Sequence, residues 1–111
     1  MPAFIKSLTF DTSDALVAAK FWAAVLGSEV DEDSTADKAF VEPAAWGGPT
    51  IWFQRVPEIK AAKNRLHLDL RAPGAVLDEV RRLEALGATV LTLRTDLVVM
   101  QDPDGNEFCV E

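Results

Sequence analysis

The sequence predicts an α+β fold of two βαβββ modules that form a curved, mostly antiparallel eight-stranded sheet with the helices outside. Three observations carry this expectation. A shift of 60 residues lays Ser7-Leu8-Thr9-Phe10 over His67-Leu68-Asp69-Leu70, and Leu26-Gly27-Ser28-Glu29-Val30 over Leu86-Gly87-Ala88-Thr89-Val90, with no gap between them. The same succession of element types follows in both halves. Each half then closes on two strands joined by turn-forming residues, Trp46-Gly47-Gly48-Pro49 in one and Asp102-Pro103-Asp104-Gly105-Asn106 in the other. With 111 residues the chain has the size of one domain, residues 1–111. Module one is taken as 1–56, a polar linker as 57–63 and module two as 64–111.

The elements follow in order. Phe4–Phe10 alternates as a strand with two different faces. Thr12, Ser13 and Asp14 offer N-caps to a helix whose apolar stripe is Val17, Phe21 and Val25, flanked by Ala18, Trp22 and Leu26. Gly27 stands where a left-handed C-cap is wanted. Three short strands are expected at Glu29–Asp31, Ala39–Glu42 and Pro49–Val56. Module two repeats the pattern. Arg65–Arg71 is its first strand, and Val76, Val80, Leu83 and Leu86 recur on one side of a helix closed by Gly87. Glu79, Arg81, Arg82 and Glu84 fill that helix's solvent side, and strands follow at Thr89–Leu93, Leu97–Gln101 and Glu107–Val110.

Composition excludes several functions. Lys+Arg 11 against Asp+Glu 18, a net charge of −7, argues against nucleic acid as a partner, because affinity for a phosphate backbone comes mainly from neutralising cations. The acidic excess is spread over both halves without a charged tail. One cysteine, Cys109, permits no internal disulfide and no multi-thiolate zinc site. With no signal-like run at the N-terminus and no stretch near the ~20 apolar residues of a membrane span, a cytoplasmic protein is expected, with no membrane partner. His67 is the single histidine. Gly47-Gly48 is followed by no helix and no Lys-Ser, so it is no phosphate loop. The Asp102–Asn106 run is too short for a calcium loop and reads as a β-turn.

The repeated βαβββ unit, the Leu-Gly that closes each helix and the Asp-Pro-Asp-Gly-Asn before the last strand resemble the vicinal oxygen chelate superfamily of glyoxalases, bleomycin-resistance proteins and extradiol dioxygenases. Phe21-Trp22-Ala23-Ala24-Val25-Leu26-Gly27, Asn64-Arg65-Leu66-His67-Leu68-Asp69-Leu70 and Asp102-Pro103-Asp104-Gly105-Asn106-Glu107-Phe108-Cys109 are similar to the short glyoxalase-like domain proteins of bacteria. The resemblance implies a ligand site under the concave sheet and, in metal-dependent members, one His or Glu ligand from the first and last strand of each module. The corresponding residues are Ser7 and His67 on the first strands and Gln54 and Cys109 on the last, Cys109 standing where the family motif has its Glu. One imidazole, one thiol and two weak donors make a poor set for the usual ion, so neither metal nor cofactor is expected. A zinc site of His67, Cys109 and Asp69 or Glu107 can be drawn by period-2 reading. Strand spacing of roughly 6–7 Å per two residues places those carboxylates off the usual centre. Cys109 is then read as a small buried apolar residue.

The expected function is a small-molecule-binding protein of the glyoxalase/bleomycin-resistance type, with Ser7, Thr9, Trp46, Trp52, Gln54 and Cys109 around the ligand. Eight of nine aromatic residues lie in the first half, which favours ring stacking there. The alternative is a lyase or isomerase of glyoxalase type acting on a small oxygenated metabolite. His67 would be its acid/base and Asp69 the group that sets the imidazole tautomer, or else Asp69 pairs with Arg65, Arg71 or Arg55. Relatives of this size commonly pair, so a homodimer is expected.

Overall fold

A computed structural model describes residues 1–42 and 47–111, and among them the order is β1 (Ser7–Thr12), α1 (Ala15–Leu26), β2 (Lys38–Val41), β3 (Thr50–Arg55), β4 (Asp69–Leu70), α2 (Val76–Leu86), β5 (Thr89–Leu93), β6 (Val98–Gln101) and β7 (Glu107–Val110). This is an α+β fold with two helices and two mixed sheets, of order β1-β3-β2 and β4-β7-β6-β5. The chain divides into two compact units, Met1–Ile59 and Lys60–Glu111, and the division falls within the 57–63 segment.

In the first unit β3 is central, parallel to β1 and antiparallel to β2. Alternation gives it two faces. Ile51 and Phe53 are buried with Ala39 and Val41 of β2, and Phe10 of β1 meets Phe53 at 5.4 Å and Trp22 of α1 at 5.7 Å. Helix α1 starts as its sequence demands: the Asp14 carboxylate accepts from the Val17 N–H at 3.1 Å, and the Thr12 hydroxyl accepts from the Asp14 N–H at 3.2 Å. It ends at Gly27 with φ 66°, a left-handed conformation that costs glycine no Cβ clash. Its buried side is Ala15, Ala18, Ala19, Phe21, Trp22, Ala23 and Val25; Val17, expected in the stripe, is exposed.

Two expected strands also come out differently in this unit. The first strand is Ser7–Thr12, not Phe4–Phe10, because a strand extends only where its neighbour runs, and β3 starts opposite Ser7 at Thr50. The Glu29–Asp31 strand shrinks to one bridge, Val30 to Val41. Asp31 ends the pairing there: its carboxylate accepts from the Asp33 N–H at 3.0 Å and its carbonyl from the Ser34 N–H at 3.0 Å, so the chain turns away. Seven strands are therefore present among the described residues rather than eight.

The second unit repeats the plan, with β4 parallel to β7 and β5, β6 and β7 antiparallel in turn. Val98, Met100, Phe108 and Val110 are buried, as are Val80 and Leu83 of α2. Gly87 closes α2 at φ 119°. The first strand of this module is only Asp69–Leu70, not Arg65–Arg71: Leu68 still takes a backbone bond from Cys109, but further back, at Lys60 and Asn64, the tie to β7 runs through the Glu107 side chain. The Glu107 carboxylate there accepts from the Asn64 N–H at 3.2 Å and holds Lys60 at 2.7 Å.

On α2 the expected solvated face contains one organised pair. Arg82 grips Glu79 through Nε at 2.7 Å and a second guanidinium nitrogen at 2.9 Å, which holds the Glu79 carboxyl below its usual range through this hydrogen bond, against the opposing effect of burial. A lowered folded pKa stabilises fully above the unfolded value of about 4.3 and is lost as pH falls through the lowered value. Glu79→Gln should thus cost up to about 1 kcal/mol at neutral pH, and urea titrations should show that difference vanishing in acid.

Candidate functional site

Candidate residues fall into two groups, one in each unit. In the first, the residues that alternate with the buried face are Ser7, Thr9 and Asp11 on β1, Trp52 and Gln54 on β3, and Lys38 and Phe40 on β2. The register places Thr9 beside Trp52 and Trp52 beside Phe40, forming a row across three strands. Trp52 and Phe40 stack with centroids 4.5 Å apart, and the Lys38 ammonium lies 5.3 Å from the Trp52 ring. Ser7, Thr9, Trp52 and Gln54 line a concavity of about 240 Å³ together with Lys6, Lys38 and Phe53. The Gln54 amide donates to the Asp11 carboxylate at 2.8 Å, which leaves the amide oxygen as an acceptor. Trp46, also expected at a ligand, lies outside the described residues. A larger concavity of about 590 Å³ borders Gly27, Glu29, Asp31, Glu32 and Glu42, but it is walled by carboxylates and offers no aromatic surface.

In the second unit His67, Asp69 and Cys109 converge, with one ligand atom from each within 4.8 Å of the others. The backbone is the reason. Asp69 of β4 is the direct partner of Cys109 on β7, and the Cys109 N–H donates to the Leu68 carbonyl at 2.9 Å. Neighbouring strands lie about 4.8 Å apart, closer than residues two apart along one strand. His67 sits just before β4 and turns Nδ1 to within 3.5 Å of the Asp69 carboxylate. Within the same unit Arg71, one of the alternative partners, faces Glu111 at 3.8 Å instead. Cys109 is half-buried and lies between the buried Phe108 and Val110 on β7. Burial, the charge of Asp69 and a hydrogen bond to its carboxylate raise the Cys109 thiol above the ordinary thiol range, with Glu111 adding to the rise and Lys63 opposing it.

The repeat also corrects one assignment. With Asp69 equivalent to Thr9, the partner of Thr9 is Trp52 and the partner of Asp69 is Cys109, so Trp52 and not Gln54 stands at the position of Cys109. The two-residue offset keeps Gln54 on the same face. It also replaces an amide oxygen with an indole, which has no lone pair to give.

The glyoxalase-like domain family model matches residues 7–111, nearly the whole chain. The chain belongs to the glyoxalase-like domain family. Its wider group is the vicinal oxygen chelate superfamily. Similar solved structures include a glyoxalase/bleomycin resistance protein/dioxygenase family enzyme from Burkholderia phytofirmans PsJN (18% identity, 95% of this chain and 94% of that one, TM-score 0.73). A mutant of the fosfomycin resistance protein FosX from Listeria monocytogenes, complexed with Mn(II) and 1S,2S-dihydroxypropylphosphonic acid, is another (16% identity, 100% and 90% covered, TM-score 0.77). A possible glyoxalase from Bacillus cereus is 17% identical, with 98% of each chain covered and a TM-score of 0.72. At these identities the likeness concerns the fold. No curated protein matches the sequence significantly.

In this glyoxalase-like chain the donors on the first and last strands of module one are weak ones for a metal ion. Its first-module positions hold the Ser7 hydroxyl and the Trp52 ring, and Mn(II), a hard ion, prefers carboxylate and other oxygen ligands. Among the described residues, no helix is long and apolar enough to cross a membrane.

Proposed function

We propose that the chain is a small-molecule-binding protein of the glyoxalase/bleomycin-resistance type, which seats its ligand on Ser7, Thr9, Trp52 and Gln54 without the usual family ion. The observation that carries this reading is the common concavity lined by those four side chains, with Trp52 held flat against Phe40. A fixed ring gives a ligand stacking surface at little entropic cost, while the hydroxyls and the Gln54 carbonyl set its orientation. Lys38 and Lys6 at the rim favour an oxygen-rich or anionic ligand. Ligand-bound FosX supports the class, since the molecule in its complex is a small dihydroxy phosphonic acid.

The proposal takes residues 1–111 as one domain of two modules, supported by the single family model that spans both. The shared curved sheet, pairing of two copies and a cytoplasmic location are retained as parts of it, with Trp46 and Cys109 as further ligand contacts. A thermal-shift and tryptophan-fluorescence screen against small oxygenated metabolites, phosphonates and glycopeptide drugs tests it. A ligand that stabilises the protein should bind Trp52→Ala about tenfold more weakly, a loss of about 1.4 kcal/mol. Equal binding by the variant, or no ligand in any class, overturns the reading.

A second reading, a lyase or isomerase with His67 as acid/base oriented by Asp69, draws on the 3.5 Å contact between them. Turnover of a small oxygenated metabolite by metal-free protein, abolished in His67→Ala, would support it, and turnover unchanged in that variant would overturn it.

A further inference from the structure

We infer that module two carries its own binding site for a zinc-class divalent ion, with His67, Asp69 and Cys109 as three ligands and a fourth position open to solvent. The site goes beyond the small-molecule reading and uses none of Ser7, Thr9, Trp52 and Gln54; Cys109 is the one residue it shares with that reading. It also differs from the arrangement of the metal-dependent relatives, which takes ligands from both modules. Here all three come from one: His67 and Cys109 stand at two of the usual ligand positions, and Asp69 stands at none of them.

Geometry supports the assignment at each ligand. Tetrahedral zinc with bonds of roughly 2.0–2.3 Å places its ligand atoms about 3.3–3.8 Å apart. His67 and Asp69 already meet at 3.5 Å, and all three ligand atoms lie within 4.8 Å, so closing the set takes side-chain movements of up to about 1.5 Å. The two side chains that must move are free to do so, with His67 43% and Asp69 58% exposed. Cys109 is the anchored member. It is half-buried on β7, and its strand is clamped to β4 by the Cys109 N–H to Leu68 carbonyl bond and the Glu111 N–H to Leu70 carbonyl bond, both 2.9 Å.

Chemistry selects the ion. One imidazole nitrogen, one carboxylate oxygen and one thiolate sulfur form a borderline set that suits Zn²⁺ over Mg²⁺ or Mn²⁺. Asp69 and Glu111 surround the sulfur with negative charge, opposed only in part by Lys63. On binding, the ion exchanges waters for the three side chains, and the Cys109 thiol releases its proton to solvent. Three protein ligands with an open fourth position is the pattern of zinc sites that bind a water or a substrate oxygen.

Tag-free protein, stripped with chelator and kept reduced, is titrated with Co²⁺ and then with Zn²⁺. One equivalent of Co²⁺ should produce a thiolate-to-cobalt charge-transfer band in the near ultraviolet, and one equivalent of Zn²⁺ should abolish it. Cys109→Ser should remove the band, and His67→Ala and Asp69→Asn should each weaken Zn²⁺ at least about tenfold in competition with a chromophoric chelator. Near-ultraviolet circular dichroism confirms that each variant is folded. Absence of the band in the folded wild type overturns the site. So does a band and a Zn²⁺ affinity that survive unchanged in both His67→Ala and Asp69→Asn, because the cysteine alone is then holding the metal.

Discussion

Phe53→Ala is expected to cost about 3–5 kcal/mol in urea unfolding, the largest single effect in the first module. Phe53 lies on the central strand β3, has no exposed surface, and packs on Phe10 at 5.4 Å, which in turn meets Trp22 at 5.7 Å. Removing the ring leaves a cavity that Ala39, its β2 partner, is too small to fill. Domains of this size hold only about 5–15 kcal/mol in total, so the variant should be partly unfolded at elevated temperature. A loss below about 1.5 kcal/mol would mean that α1 collapses onto the sheet and that the core is looser than its packing indicates. Trp52, one residue earlier, faces the other way, which is why its removal tests binding whereas that of Phe53 tests folding.

Asp102→Ala should cost about 2–3 kcal/mol, an effect of a different kind. Asp102 is 4% exposed, and one carboxylate oxygen accepts from the Asp104 N–H at 2.9 Å and the Asn106 N–H at 2.8 Å. The other oxygen accepts from the Asn106 amide at 3.0 Å. The carboxylate thus holds together a turn whose backbone is closed by Asp102 N–H to the Asn106 carbonyl at 2.9 Å, with Gly105 at φ 86°. Alanine strands two partly buried backbone donors, whereas Asp102→Asn keeps one acceptor oxygen and should lose less. Amide exchange at Asp104 and Asn106 should accelerate in the alanine variant well before global unfolding. Unchanged exchange there would show that the backbone alone holds the turn. Because this turn joins β6 to β7, it also sets the position of Cys109 three residues on.

Much of this architecture is legible in local signals. Asp14 caps α1, Gly27 and Gly87 close their helices in the left-handed region, and strands Thr89–Leu93 and Glu107–Val110 fall on the residues whose pattern marks them. Each depends on residues a few positions apart, as do the turn at Asp102 and the repeat at 60 residues that places Ser7 with His67. Strand lengths are less legible, since β1 and β4 extend only as far as their partners allow. A period-2 pattern reports which face a residue occupies and says nothing of where the neighbouring strand stops.

The residues available for chemistry, and the scarcity of imidazole and thiol among them, belong to the sequence: one histidine, one cysteine and an aromatic first half. Their company belongs to the fold. Trp52 replaces Gln54 as the counterpart of Cys109, and Asp69 comes to lie beside that cysteine, through pairings between residues about forty apart in the chain. Along a strand two like-facing residues are held roughly 6–7 Å apart by the backbone, whereas adjacent strands approach to about 4.8 Å wherever their hydrogen bonds align. Periodicity reaches the first distance, and only the register chosen by core packing on the opposite face brings about the second.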